Sequence, residues 1–512
     1  MIKSRPSCHP GLPLLLLLAA FVSVEGSASG AAGSASGETS AQDGPRPLFE
    51  FRELYALGHF GNSYEVMGNN EFRELFAEMK SWGFNSYGDW FNMDDCKDPF
   101  EAGHLCGLGE ALWDAKKEHY AIVQRLGLSR TLNFHPNHVY LTQCLPELLA
   151  ERVSQGTKQT TVHGQLICPS IPEARALILK NHENIFRELA RSGVQLNSLM
   201  SCPYDYGGCR CAKCEPWILT HAKLAHEIYQ LARKQYPQVK MNMMGWWLTA
   251  KEHQLFADWV DANAPGWIDL VLASVPYGES KVPDVPLPKG SRRGAFLHIS
   301  YAEKGWGDKK HPRRYDIYAH YGPVIAADRI EQTVANMKAQ GVVGFTAYSE
   351  GVFDDVNKAL LAGLASGQYE TAGEVLEAYA RRYFGADAET AKQWAAWLRP
   401  WGNPFDVDLR QSAATLETLL KKTPADGWRL RQWVLKQQLL AANLEIENGQ
   451  EWTPERLEAV ERFWAIQEKL HRGLYGLSPM RHCLGRRYTP TSWFKSWAEY
   501  KAAKALEAGR EW

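Results

Sequence analysis

Leu196 to Trp217 reads LNSLMSCPYDYGGCRCAKCEPW, and its reading decides the fold. The apolar run Leu196–Met200 is strand-like, and a helical pattern begins at Trp217. Between them lie an acid flanked by tyrosines, two glycines and a knot of cysteines. A strand, a polar loop and a helix form one βα unit. In a barrel made of such units, the loops at the C-terminal strand ends carry the chemistry.

The same unit repeats in both directions along the chain. Strand patterns fall at 54–60, 84–90, 129–135, 196–204, 239–247, 268–275, 295–301 and 342–349. Helical periodicity fills connections at 70–82, 170–192, 217–236 and 326–340. Ser170-Ile171-Pro172-Glu173 has the form of a capping box. Eight βα units in roughly 300 residues predict a (β/α)8 TIM barrel over residues 49–368. The first βα turn lacks the Gly-rich phosphate fingerprint of a doubly wound sheet. Beyond residue 368 the periodicity is helical throughout, at 371–383, 388–398, 409–421, 428–448, 454–471 and 492–508, which predicts an all-helical C-terminal domain over 369–512.

The chain begins with a targeting pattern. Lys3 and Arg5 precede an apolar run, Leu12 to Val24, too short to span a bilayer comfortably, and Gly26-Ser27-Ala28 offers a cleavage site. Residues 1–28 therefore read as a signal peptide and 29–48 as a flexible Gly/Ser/Ala-rich linker. The expectation is an exported protein, periplasmic or extracellular, without membrane attachment after cleavage. A net charge of -1 over 512 residues gives no electrostatic basis for nucleic acid as a partner.

At the predicted strand ends stand His59 and Asn62, Asp89 and Trp90, His135, Asn137 and His138, Tyr204, Asp205 and Tyr206, Trp246 and Trp247, Tyr277, Tyr301 and Trp306, and Tyr348 with Glu350. Hydroxyl-binding groups, aromatic rings and a few carboxylates suit a neutral polyol, and a carbohydrate is the expected partner. Hydrolysis of a glycosidic bond needs two carboxyl groups, one to protonate the leaving oxygen and one as nucleophile or base. Asp205, ending the fourth strand, and Glu350, ending the eighth, are the expected catalytic pair, with Asp89 a further candidate. His59, Asn62, Asp89, His135, Tyr204, Tyr206, Trp246, Tyr301, Trp306 and Tyr348 are the expected substrate contacts. His59, His135 and His138 open a second reading, a metal-dependent hydrolase. Asp354 or Asp355 is placed to cap the last barrel helix, with Lys358 inside it.

The ten cysteines include Cys8, and loss of the signal leaves an odd number. Cys96 with Cys106 forms a local candidate pair. Cys209-x-Cys211-x2-Cys214 has ligand spacing for zinc, and Cys168 can supply a fourth thiolate. Two disulfides among the same four residues fit an oxidising compartment equally well. Either arrangement is structural, and no cofactor is expected for catalysis.

These motifs carry a resemblance. Leu57-Gly58-His59-Phe60-Gly61-Asn62, Trp82-Gly83-Phe84-Asn85, Cys168-Pro169-Ser170, Tyr204-Asp205-x-Gly207-Gly208-Cys209 with the cysteines that follow, and Tyr348-Ser349-Glu350-Gly351 resemble a group of exported bacterial proteins with a glycoside-hydrolase-like barrel. More remotely, the layout is similar to glycoside hydrolase family 20 and α-glucuronidase-type barrels. Family 20 implies an Asp-Glu pair after the fourth strand and a sugar-binding Glu at the eighth. Asp205 matches that Asp and Glu350 the sugar-binding Glu. Tyr206 stands where the catalytic Glu belongs, so an N-acetyl-assisted mechanism does not carry over. A non-catalytic glycan-binding barrel is the alternative this departure favours.

Overall fold

The computed structural model describes residues 47–58, 62–93, 96–101, 107–151, 154–155, 158–159, 166–205, 207–304, 322–448 and 453–473. The expected signal peptide, nearly all of the linker, His59, Cys106, Tyr206, Trp306 and the helix expected at 492–508 lie outside these residues.

Eight parallel strands close into a barrel, each hydrogen-bonded to its sequence neighbours and the last to the first. They are β1 Phe51–Tyr55, β2 Ser86–Trp90, β3 Ser129–Phe134, β4 Ser198–Ser201, β5 Lys240–Met244, β6 Leu270–Ser274, β7 Arg292–His298 and β8 Gly344–Tyr348. The expected (β/α)8 architecture is present. Helices α1 Asn69–Trp82, α2 Gly107–Arg125, α3 Pro172–Arg191, α4 Trp217–Gln235, α5 Ala250–Asn263, α6 Ala327–Ala339 and α7 Asp355–Ala365 surround it. The β6–β7 connection forms no helix, because Pro276, Pro283, Pro286 and Pro288 remove backbone donors throughout it.

The two-residue period of the strands assigns every side chain to the lumen or to the helix layer. On β6, Leu270 and Leu272 point inward while Val271 and Ala273 pack under the helices. Phe296 of β7, Met200 of β4, Met244 of β5 and Tyr55 of β1 join the inward set, and Leu297, Leu199, Met243 and Leu54 the outward one. The lumen also holds Glu53, fully buried, which accepts hydrogen bonds from Ser86 Oγ at 3.0 Å and Thr346 Oγ1 at 2.9 Å. Burial pushes its carboxyl up to about 7 against those hydroxyls. The first strand begins at Phe51, before the expected 54, because this inward acid and the neighbouring Arg52 hide the strand's apolar character.

Two expected helix-cap bonds are replaced by others. Ile171, not Ser170, is the N-cap of α3, and it forms no side-chain cap bond. The Ser170 hydroxyl turns to the sulfurs of Cys168 and Cys211. Asp354 is the N-cap residue of α7, as expected, but forms no side-chain cap bond. It pairs with Lys358, which does lie in α7, and accepts from Ser300 and Ser349.

The C-terminal helices are α8 Ala372–Phe384, α9 Ala388–Leu398, α10 Leu409–Lys421, α11 Trp428–Asn448 and α12 Pro454–Gly473. One continuous apolar core runs from Phe49 through the helix layer to Leu470. Polar contacts stitch the helices to the barrel. Arg429 of α11 donates to Asp355 at 2.7 Å and reaches Glu78 at 2.8 Å, and the Tyr379 hydroxyl donates to Asp355 at 2.7 Å. Arg429 and its surroundings hold the Asp355 carboxyl below its usual value against the cost of burial.

Candidate active site

The C-terminal ends of the strands surround an open cavity of about 540 Å³. Its wall comprises Tyr55, Leu57, Trp90, Asn133, His135, Cys202, Asp205, Met244, Trp246, Tyr277, Phe296, His298, Tyr301 and Tyr348. Every barrel strand sends at least one of these from its end or its following loop, Tyr277 coming from the loop after β6.

Of the expected substrate contacts, His135, Trp246, Tyr301 and Tyr348 line the cavity together with Asp205. Others do not. Asp89 alternates outward with Tyr87, sits fully buried against Lys116 of α2, and accepts from the Tyr87 hydroxyl at 2.5 Å. Asn62 caps the short helix Ser63–Val66, accepting from Tyr64 N and Glu65 N while donating to Leu57 O. The Tyr204 hydroxyl donates to Glu252, and its ring packs among the cysteines. All three side chains are committed to structure.

Two backbone outliers mark this cavity. Among the described residues, Asp205 (φ 75°) and Trp247 (φ 59°) are the non-glycine residues with positive φ. Each costs of order 1–3 kcal/mol and persists only where its surroundings enforce it. Asp205 lines the cavity, and Trp247 stacks on the cavity residue Trp246 with centroids 4.8 Å apart. A buried clamp holds the Asp205 loop. Asn137 Nδ2 donates to Gly208 O at 2.8 Å and Ile167 O at 3.0 Å, and Gly208 N–H donates to Asn137 Oδ1 at 2.9 Å.

Glu350 lies beside the cavity, not in its wall. The Tyr348 hydroxyl donates to Glu350 Oε1 at 2.8 Å. The Glu350 backbone N–H is fixed by Ser300 Oγ at 2.8 Å and Asp354 Oδ2 at 3.0 Å. Burial raises the Tyr277 phenol, the Tyr301 hydrogen bond opposes this, and the negative charges of Glu350 and Asp205 raise it further.

His298 was missed by the motif reading. It is 6% exposed, packs on Trp246 and Tyr277 at centroid distances of 4.6 and 4.4 Å, and neither ring nitrogen has a hydrogen-bond partner. Burial, with the charge of Arg329 adding to it, holds its imidazole down to about 3, so the ring is neutral at physiological pH. Asn133 donates to the Tyr55 hydroxyl at 2.5 Å and leaves Oδ1 without a partner. Both positions follow from strand alternation, since His298 is two residues from inward Phe296 and Asn133 two from inward Thr131. The cavity thus offers a neutral donor–acceptor ring, an amide oxygen, aromatic faces and a carboxylate.

His135 and His138 do not form a metal centre among the described residues. Their rings pack on Trp90, at centroid distances of 4.7 and 5.9 Å. The described group with metal-ligand geometry is Cys168, Cys209, Cys211 and Cys214.

No protein-family model matches the chain, and no curated protein matches it. Solved structures with a related course of chain include glycoside hydrolases. The Ignisphaera aggregans GH53 catalytic domain is 14% identical over 59% of this chain and 86% of that one, with a TM-score of 0.38. A GH138 enzyme targeting pectin rhamnogalacturonan II is 12% identical, covering 90% of this chain and 61% of that one, with a TM-score of 0.39. The catalytic domain of β-amylase from Paenibacillus polymyxa is 9% identical, over 62% and 97%, with a TM-score of 0.37. Likeness of this order carries no functional argument, and the function rests on the cavity itself.

Proposed function

We propose that the protein is an exported glycoside hydrolase acting on a terminal sugar of an oligo- or polysaccharide. The observation that carries this is the strained Asp205 loop delivering a carboxylate into a cavity walled by Trp246, Tyr277, Tyr301 and His298. Aromatic faces pack against sugar C–H faces, while His298 and Asn133 hold unmet hydrogen-bonding capacity suited to sugar hydroxyls. Asp205 acts as general acid or as its helper. Glu350, oriented by Tyr348, is the second carboxylate, as base, nucleophile or hydroxyl-binding group. Glu350 is tied to the cavity wall through its hydrogen bond from the Tyr348 hydroxyl. The signal-like N-terminus supports export. The test is turnover of a glycan panel by Asp205→Asn and Glu350→Gln proteins. Loss of at least a hundredfold with folding intact is expected, and full activity in both sinks the assignment.

A specific observation keeps the glycan-binding reading in view: among the described residues of the cavity wall, Asp205 is the one carboxylate. Saturable glycan binding without product release over a long incubation would establish that reading instead.

A further inference from the structure

We infer that Cys168, Cys209, Cys211 and Cys214 bind one zinc ion as a closed tetrathiolate site that clamps the loop carrying Asp205. Beyond the catalytic reading, this assigns a metal to the clamp and decides between the two chemistries open to these residues.

The sulfur geometry makes the choice. Cys168 Sγ lies 3.5 Å from Cys209 Sγ, 3.6 Å from Cys211 Sγ and 3.7 Å from Cys214 Sγ. The four sulfurs all fall within 4.8 Å of one another. Two disulfides would place Cys168 about 2.05 Å from a single partner and farther from the others. Near-equal distances to three partners fit one vertex of a tetrahedron and not a member of a disulfide. With zinc–sulfur bonds of about 2.3 Å, the edge of a regular ZnS4 tetrahedron is about 3.8 Å. The three edges at Cys168 fall short of this value by only about 0.1–0.3 Å, so a small opening accepts the ion.

The surroundings suit a metal thiolate. Cys209 and Cys214 are fully buried and Cys168 nearly so, while Cys211 is half-buried, which leaves a path for entry. Ser170 Oγ stands 3.0 Å from Cys168 Sγ and 3.5 Å from Cys211 Sγ, placed to donate to thiolate sulfur. Four thiolates on one divalent cation carry a net charge of −2, and Arg210 and Lys213 are exposed on the same loop to balance it. Binding releases one proton from each thiol that is still protonated and changes no oxidation state. Four protein ligands leave no open position for a reactive water, so the site is structural.

Its position gives it a purpose. Cys168 lies just before α3, and the other three lie between β4 and α4, so the ion ties two adjacent loops together. Asn137 bridges the same two loops at Ile167 and Gly208, each next to a ligand cysteine. Asp205, four residues before Cys209, sits in its positive-φ conformation between this anchor and the strand end.

Metal analysis of the full chain, purified without chelator or reductant, should give about one zinc per chain. Exchange with Co2+ should give thiolate-to-cobalt charge transfer and the d–d absorption of a tetrahedral site. Alkylation of the denatured, unreduced protein should label all four cysteines. A Cys168→Ala/Cys214→Ala protein should lose the metal, and Cys144→Ala should keep it. Removing zinc should accelerate amide exchange across residues 205–214. Two disulfides with no bound metal, zinc retained by the double variant, or exchange that ignores zinc would each overturn the inference. The cobalt spectrum of the unsubstituted protein decides the matter even where a variant fails to fold.

Discussion

Replacing Asn137 by alanine tests how the Asp205 loop is held. The side chain is fully buried and makes three hydrogen bonds of 2.8–3.0 Å, two to Gly208 and one to Ile167. Asn137→Ala leaves Gly208 N–H, Gly208 O and Ile167 O without these partners at a fully buried position. An orphaned buried polar group costs about 1–3 kcal/mol, so the lower bound for three is about 3 kcal/mol. Partial rescue of one group by water lowers that to about 2 kcal/mol. Asn137→Asp keeps the acceptor for Gly208 N–H but turns a carboxylate toward two carbonyl oxygens, and is expected to cost at least as much. Urea unfolding followed by fluorescence and circular dichroism reads the change, with equal slopes confirming a shift in stability. Because the same bonds hold the turn after Asp205, glycan affinity or turnover should fall in step. A loss below about 1 kcal/mol with the site unaffected would show that the loop is held elsewhere and would refute this account.

His298→Phe keeps an aromatic ring, somewhat larger than the imidazole, beside the open cavity and removes two buried nitrogens that have no partner. Stability should hold or rise by up to about 1 kcal/mol, while glycan affinity falls roughly 5–30-fold for one or two lost hydrogen bonds. Loss of stability with intact affinity would assign His298 to packing alone. Glu53 has a folded-state value raised to about 7, so its contribution is full below about pH 4.5 and is lost as pH rises through 7. Glu53→Gln should therefore stabilise the protein relative to the parent at pH 8, by up to about 3 kcal/mol, and lose that advantage at pH 4.5. A pH-independent difference in melting temperature contradicts this. Asp355→Ala strands the buried Arg429 guanidinium and should cost about 3 kcal/mol in denaturant unfolding, near the low end for a broken buried pair because Glu78 remains as a partner. Adding Arg429→Met should recover part of that loss, and no recovery would place the cost elsewhere.

The barrel was legible because eight strand patterns recur along the chain, with helical periodicity in four of the connections between them. Several helix bounds agree to within a residue, as at Trp217–Gln235 and Ala388–Leu398. What periodicity left open was direction. Asp89 and Trp90 are neighbours at one strand end, yet the pleat sends Trp90 to the cavity and Asp89 to Lys116. His298 and Asn133 looked like ordinary strand residues, and only the pleat, read from inward Phe296 and Thr131, points them into the site. Ser170 fits a capping pattern in one dimension but faces sulfur in three.

The chain by itself determined the repeated βα unit, the acid at the end of the fourth strand and the cysteine spacing, because each is a local pattern written in adjacent residues. The tertiary structure decided which side chains meet. Closure of the barrel brings residues from different strands around one cavity, and the approach of two loops brings Cys168 to within 3.7 Å of cysteines more than forty residues away. Such meetings depend on the handedness and stagger of the closed sheet, which no local pattern encodes.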